Sequence, residues 1–221
     1  MARTEYQAQL DALRADVVAM SETVLERYEC ALDAVETGDR DLAERVVDGD
    51  HEINRRYLDL EGECIDLFAL QQPVASDLRF VASSFKILTD LERVGDLATN
   101  LADYADHTGT DRYPEVDVRA IGDVAGAMVR DAVVAYDDAD VEACRAVAAR
   151  DEDLDERCAQ AGQAVVTDLL QAQAGPDADA VLDDATRLML VLRDLERVGD
   201  HAVNVCARTL YMVEQDDELI Y

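Results

Sequence analysis

Lysine is almost missing from this chain of 221 residues: nineteen arginines and Lys86 face 33 aspartates and 17 glutamates. The formal net charge of −30 and the lack of any basic stretch argue against nucleic acid as a partner. Such a surface repels itself and is tolerated where salt screens it, the Debye length being roughly 3 Å near 1 M. The Asp-rich, Lys-poor balance differs from the Lys/Glu enrichment of heat-adapted proteins, so we expect the cytosol of an extreme halophile. Cys30, Cys64, Cys144, Cys158 and Cys206 form an odd, widely spaced set with no C-x-x-C pair. That pattern indicates neither a disulfide framework nor a zinc site, and the expectation is small core hydrophobes. No apolar run approaches the roughly 18 residues of a membrane span and no basic-then-apolar leader opens the chain, so a cytoplasmic, soluble protein is expected. Proline occurs only at Pro73, Pro114 and Pro176, all in inferred loops, and strand signals are absent.

What is present is helical periodicity and an internal repeat. Nearly half the residues are apolar, enough for a sizeable core. Leu10, Leu13, Val17, Met20, Val24 and Tyr28 recur at three and four spacing from about Glu5 to Glu36, where Thr37-Gly38-Asp39 ends the pattern. A second helix is expected from about Asp41 to Leu70. A third begins near Ser76, a candidate N-cap, with Leu78, Val81, Phe85, Leu88, Leu91, Gly95, Ala98 and Ala102 as its buried seam. The stretch from His107 to Glu115, with Gly109 and Pro114, is the best domain boundary, because the chain then repeats itself. Ala31–Leu70 aligns without a gap on Ala132–Gln171. After three extra residues near Pro176, the seam maps onto Leu182, Ala185, Met189, Leu192, Leu195, Gly199, Ala202 and Cys206. The expected fold class is therefore all-α, with two pseudo-symmetric three-helix bundles over residues 1–108 and 115–221. A period of about a hundred residues exceeds a solenoid unit, so the duplication is of a domain.

The repeat is sharpest where it carries charge. Asp90-Leu91-Glu92-Arg93-Val94-Gly95-Asp96-Leu97-Ala98-Thr99-Asn100 returns as Asp194-Leu195-Glu196-Arg197-Val198-Gly199-Asp200-His201-Ala202-Val203-Asn204. Glu92 with Asp96, and Glu196 with Asp200, stand four apart on one helix face about a turn from each other, where like charges repel. A hard cation held by carboxylate oxygens offsets that repulsion most directly; a solvated acidic face is the plainer alternative. The aligned second helices add another oxygen pair to each half, Asp50 with Asn54 and Asp151 with Asp155. Antiparallel neighbours can bring two such pairs together into an all-oxygen, six-coordinate type of site. Glu92 and Asp96 each follow a seam position by one residue, which puts them on the bundle's flank, partly exposed.

Other residues carry weaker signals. Gly95 and Gly199 cost about 1 kcal/mol in a helix interior, which fits a close approach by a neighbouring backbone or plain helix contact. Asn100 and Asn204 extend the acidic stripes as outer ligands or hydrogen-bond partners. Arg93 and Arg197 point away from their glutamates toward nearby acids, with phosphate binding as the alternative. Lys86 stands one turn before Asp90 and can pair with it locally. His51, His107 and His201 have no counterparts in the other half, although His201 can coordinate beside Asp200. No Glu-x-x-His, phosphate-binding Gly-Lys loop or Gly-x-Ser-x-Gly elbow occurs, so no nucleophile is named and a non-enzymatic role is expected. The enzymatic alternative is a paired-metal phosphohydrolase.

At these residues the chain resembles the PhoU phosphate-uptake regulators. The likeness rests on Asp-Leu-Glu-Arg-Val-Gly-Asp in both halves, on Gly49-Asp50-x-x-Ile53-Asn54, and on Gln72-Pro73-x-x-Ser76-Asp77-Leu78-Arg79. It covers roughly residues 15–212. The resemblance implies multinuclear metal sites, with ligand candidates Asp50, Asn54, Glu92 and Asp96 in the first half and Asp151, Asp155, Glu196 and Asp200 in the second. Iron or zinc is associated with the family, and manganese or magnesium suits the oxygen donors equally well. It further implies a homodimer and negative regulation of phosphate uptake, in contact with the ATPase of a Pst-type phosphate ABC transporter at the membrane and, in bacteria, with its sensor kinase. Phosphate held through the metal is a further possibility of this reading. One departure is that Asp77 and Arg79 align with Val181 and Asp183, which confines their role to the first bundle.

Overall fold

Seven helices and no strand make up the regular structure of the described residues: α1 (Arg3–Thr37), α2 (Arg40–Leu70), α3 (Ala75–Tyr104), α4 (Val118–Asp138), α5 (Val141–Ala148), α6 (Asp151–Gln171) and α7 (Ala178–Glu214). The structure is a computed structural model, and it describes residues 3–70, 75–105, 113, 115–171 and 178–219. Gln72 and Pro73, His107, Gly109, Pro114 and Pro176 lie outside the described residues.

The first turn works as its residues dictate. Gly38 adopts φ +66°, its N–H donates to the Ala34 carbonyl at 2.8 Å, and the Asp39 carboxylate accepts from the Leu42 N–H at 3.1 Å to start α2. The repeat rebuilds this turn with a non-glycine in the left-handed position: Ala139 takes φ 54°. Asp140 then caps α5 by accepting from the Glu142 and Ala143 N–H groups, both at 3.0 Å. Ser76 lies inside the first turn of α3 and is not its cap, because the helix already begins at Ala75.

The second half departs from the expected three helices. The helix matching α2 is interrupted between α5 and α6, where the Arg150 N–H reaches back three residues to the Val147 carbonyl (3.0 Å) before ordinary pairing resumes with Leu154 to Arg150 (3.1 Å). The interruption places Asp151, Glu152 and Asp153 in the first turn of α6, where carboxylates complement the helix dipole.

The helices of each half pack around a seam of buried Val81, Leu88, Leu91 and Ala98 on α3 and Ala185, Leu192, Leu195 and Ala202 on α7. The expected seam is too long at its N-terminal end. Leu78 and Leu182 are exposed there; further along, Met189 is exposed and Phe85 half-buried although buried seam residues stand on both sides of each.

Two crossings join the halves into one continuous core. On α1, Tyr28 and Leu32 lie against Gly126 and Gly122 of α4, and the Tyr28 hydroxyl donates to the Gly122 carbonyl at 2.9 Å. Added β-carbons there would come within 2.9 Å of the Tyr28 ring and 2.5 Å of Leu32, so the glycines are what let these helices close. Glu29 pairs with Arg130 at 2.7 Å, and in the register of the repeat these two are equivalents of each other. Contact between equivalents marks a pseudo-two-fold axis. The α3–α7 crossing obeys it too: the helices run antiparallel, with Asp90 meeting His201 and Asn204, and Tyr104 meeting Asp194.

Candidate metal centres

Each candidate site begins with a branched side chain seated in a glycine notch. A β-carbon on Gly95 would lie 3.1 Å from Ile53 Cδ1, and Leu154 occupies the matching place over Gly199. The notches are helix–helix contacts made by side chains, the plainer of the two readings of these glycines. Their consequence is positional: Ile53 and Leu154 fix the height at which α2 meets α3 and α6 meets α7. The flanking Asp50/Asn54 and Asp151/Asp155 are thereby carried to the level of the repeated acids.

In the first half, Asn54 Nδ2 donates to Asp50 at 2.7 Å, and the Thr99 hydroxyl reaches the other Asp50 oxygen at 3.3 Å. Thr99 is a participant that sequence reasoning did not single out, although it lies inside the motif. Glu92 is raised above the ordinary glutamate range by burial, by Asp96 and by Asp50, while Arg93 and His201 oppose the rise. Arg93 bridges the acids of its own helix, at 3.4 Å from Glu92 and 2.8 Å from Asp96. Both acids are partly exposed, as the flank placement requires.

The second half is arranged differently. Burial and the charges of Asp155, Asp200 and Glu196 push Asp151 up to about 6, and its Oδ1 is buried without a hydrogen-bond partner. Glu196 and Asp200 are raised as well, by burial and then by Asp155. Arg197 forms its ion pair with Asp194, at 3.5 Å, and acts on this group only through its field, which with that of His201 opposes the rise of Asp200. Four carboxylates here stand in one another's field, whereas the first half has three carboxylates, one amide and a bridging guanidinium. As the side chains stand, no three His, Cys, Asp or Glu among the described residues close to metal-ligating geometry. The donor chemistry and the orphaned Asp151 oxygen nonetheless fit a hard cation.

The opening aspartates of the two motifs bind across the halves. Asp90 accepts from Asn204 at 3.2 Å and pairs with His201 Nδ1 at 2.9 Å. The expected Lys86–Asp90 pair is not formed: Lys86 is exposed and makes no ion pair among the described residues. Asp194 is fully buried, held by Arg193 at 2.7 Å, Arg197 and the Tyr104 hydroxyl at 3.4 Å. Their place at the head of both motif copies was the available signal, but His201 and Asn204 for Asp90, and Tyr104 for Asp194, come from the other half. His51 is exposed and bonds the Asp48 carbonyl at 2.6 Å. The cysteines are free thiols, four buried and Cys30 partly so, as expected of core residues. No helix among the described residues is long and apolar enough to cross a membrane.

Comparison with known proteins agrees with this geometry. The PhoU domain family matches residues 17–105 and again 118–209. A phosphate-specific transport system accessory protein PhoU homolog of Pseudomonas putida is 33% identical over 216 residues, covering 96% of this chain and 82% of its own. A homolog of the same description from Methanothermobacter thermautotrophicus is 29% identical, covering 96% and 95%. The crystal structure of PhoU from Pseudomonas aeruginosa superposes with a TM-score of 0.86 at 30% identity, over 96% of this chain and all of that one. The PhoU structure from Streptococcus pneumoniae also gives 0.86, at 26% identity over 96% and 98%. With both halves matched and the helical frame shared nearly end to end, the chain belongs to the PhoU family.

Proposed function

We propose that this protein is a non-enzymatic, metal-binding regulator of phosphate homeostasis that restrains phosphate uptake. It acts in the cytoplasm as a homodimer, by contact with the ATPase of a Pst-type transporter. The relatives' description as accessory proteins of phosphate-specific transport supports the setting. The observation that carries the metal reading is the recurrence of one oxygen-rich arrangement at two pseudo-symmetric places, each seated by a glycine notch. In one of them the carboxylates raise each other's affinity for protons and a buried oxygen lacks a partner.

Asp50, Asn54, Glu92 and Asp96 would hold one ion or cluster, and Asp151, Asp155, Glu196 and Asp200 the other. Iron, zinc, manganese and magnesium are the candidates. A bound cation supplies charge neutralisation and open positions for anionic oxygens such as those of phosphate. The protein's own part is to align the donors and, in the first half, to move Arg93 aside.

The test is Glu92→Ala with Asp96→Ala, assayed by elemental analysis of purified protein and by circular dichroism. Bound metal is expected to fall by about half with helicity unchanged, and phosphate uptake in cells to lose its restraint. A double variant as metal-rich as the parent would remove these residues from the ligand set.

A further inference from the structure

Single exposed apolar residues are normal on protein surfaces, and the isolated cases here, such as Leu58 and Val134, have no large apolar counterpart in the other half, where Ala159 and Asp33 take the equivalent places. One group behaves differently because it recurs. Ile65 (52% exposed) on α2 matches Val166 (40%) on α6; Leu78 (45%) on α3 matches Leu182 (56%) on α7; half-buried Phe85 matches Met189 (41%). In a chain that spends 33 aspartates, mostly on its surface, apolar groups kept in the open at equivalent places are not explained by composition.

Each set lies together. Leu154 over Gly199 and the 3.5 Å approach of the Met189 sulfur to a β-carbon position on Gly162 fix the antiparallel register of α6 and α7. That register puts Val166, one turn beyond Gly162, level with the helical stretch between Leu182 and Met189. Tyr57 opposite Thr89, at 3.5 Å, fixes the same register for α2 and α3 and puts Ile65 between Leu78 and Phe85.

The rims are acidic: Glu63, Asp66 and Asp77 around the first patch, Asp179 and Asp183 around the second, with Arg79, Lys86 and Arg187 as the nearby bases. Against a net charge of −30, the complementary occupant is apolar at its centre and basic at its edges, which describes a cationic amphipathic helix. A second copy of this chain would bring an equally acidic rim to each patch, so the homodimer proposed above pairs through another face.

The pseudo-two-fold sets the stoichiometry. Both patches lie toward the N-terminal ends of α3 and α7, one to two dozen residues from the antiparallel crossing near Gly95 and Gly199, so at 1.5 Å per residue they stand roughly 40 Å apart. We propose that these two patches are paired docking sites for a partner that presents the same basic amphipathic helix twice, as a homodimer does. This deepens the partner-contact part of the function above and does not rest on its metal sites.

The test uses full-length protein in 1 M KCl and a labelled 18-residue Leu/Lys amphipathic peptide, alone and as a tandem joined by about 50 Gly/Ser residues, whose r.m.s. span is roughly 40 Å. Two single peptides are expected to bind per chain, and the tandem to bind at least tenfold more tightly. Leu182→Asp with Met189→Asp, or Ile65→Asp with Leu78→Asp, is expected to leave one peptide per chain and abolish the tandem advantage. Ile65, Leu78 and Leu182 are exposed and Met189 also touches Gly162, so circular dichroism checks the fold and Val166→Asp with Leu182→Asp serves as a second variant of the same patch. Unchanged stoichiometry in both variants, or equal binding of a peptide with serine for leucine, overturns the proposal. So does sedimentation showing self-association that Leu182→Asp removes, since the patches would then join copies of this chain. Metal content of the patch variants stays at the parent level, and Glu92→Ala/Asp96→Ala retains peptide binding, so failure of either reading is told apart from failure of the other.

Discussion

At the scale of single residues, the two halves use one motif for different electrostatic ends. Arg93 stays with Glu92 and Asp96, whereas Arg197 forms its ion pair with the buried Asp194, and three further carboxylates crowd Asp151. Asp151 is raised to about 6, so it binds its proton more tightly folded than unfolded. Its contribution to stability is therefore complete below about pH 4 and is lost as pH rises through about 6. Glu196 and Asp200 act in the same direction. In chelator-treated protein, Asp151→Asn is expected to raise stability at pH 7.5 by on the order of 1 kcal/mol after allowing for solvent screening, and to change nothing at pH 4. Thermal melts at the two pH values check this, and an equal effect at both would refute the electrostatic cause. With divalent metal added at pH 7.5 the same variant is expected to be the less stabilised of the two, because it has lost a ligand.

At the scale of elements, the matched turns offer a controlled comparison. Gly38 and Ala139 occupy the same left-handed position, and only the alanine is strained there. Ala139→Gly is expected to stabilise the protein by about 0.5–1 kcal/mol, and Gly38→Ala to destabilise it by about 1 kcal/mol; denaturant midpoints measure both. Helix extents and the acid stripes were legible from the sequence, because three-and-four periodicity and i, i+4 spacing are properties of one helix alone. The interruption before Asp151 was not. Nothing within the α5–α6 stretch breaks a helix the way proline does, and the aligned α2 runs through the same register unbroken. The far end of the seam was also misjudged, since periodicity says which face turns inward but not where a neighbouring helix stops covering it. That is why Leu78 and Leu182 emerge exposed.

At the scale of the whole molecule, a charge of −30 on a frame whose α1–α4 crossing depends on two glycines makes stability a function of salt and of fit. Raising KCl from 0.1 to 2 M is expected to lift the melting midpoint by several degrees or more, as screening shortens the reach of the self-repulsion. An equal rise with a neutral osmolyte of matched osmolality would point to solvent exclusion in place of screening. Gly126→Ala forces a β-carbon to 2.9 Å from the rigid Tyr28 ring and is expected to cost about 1–3 kcal/mol, with hydrogen exchange accelerating first along the α1–α4 contact.

By itself the sequence determined the helical class, the duplication and the two acidic stripes, because each is written in spacings of a few residues or in direct self-similarity. Only the tertiary structure decided which side chains meet across the halves: Asp90 with His201 and Asn204, Asp194 with Tyr104, Glu29 with Arg130. Those pairs stand ninety or more residues apart along the chain, and no local pattern encodes a partner on another helix. They follow from how closely packed helices cross: at α1–α4 that is set by the fit of Tyr28 and Leu32 against glycines far away in sequence, while Ile53 and Leu154 set the register inside each half.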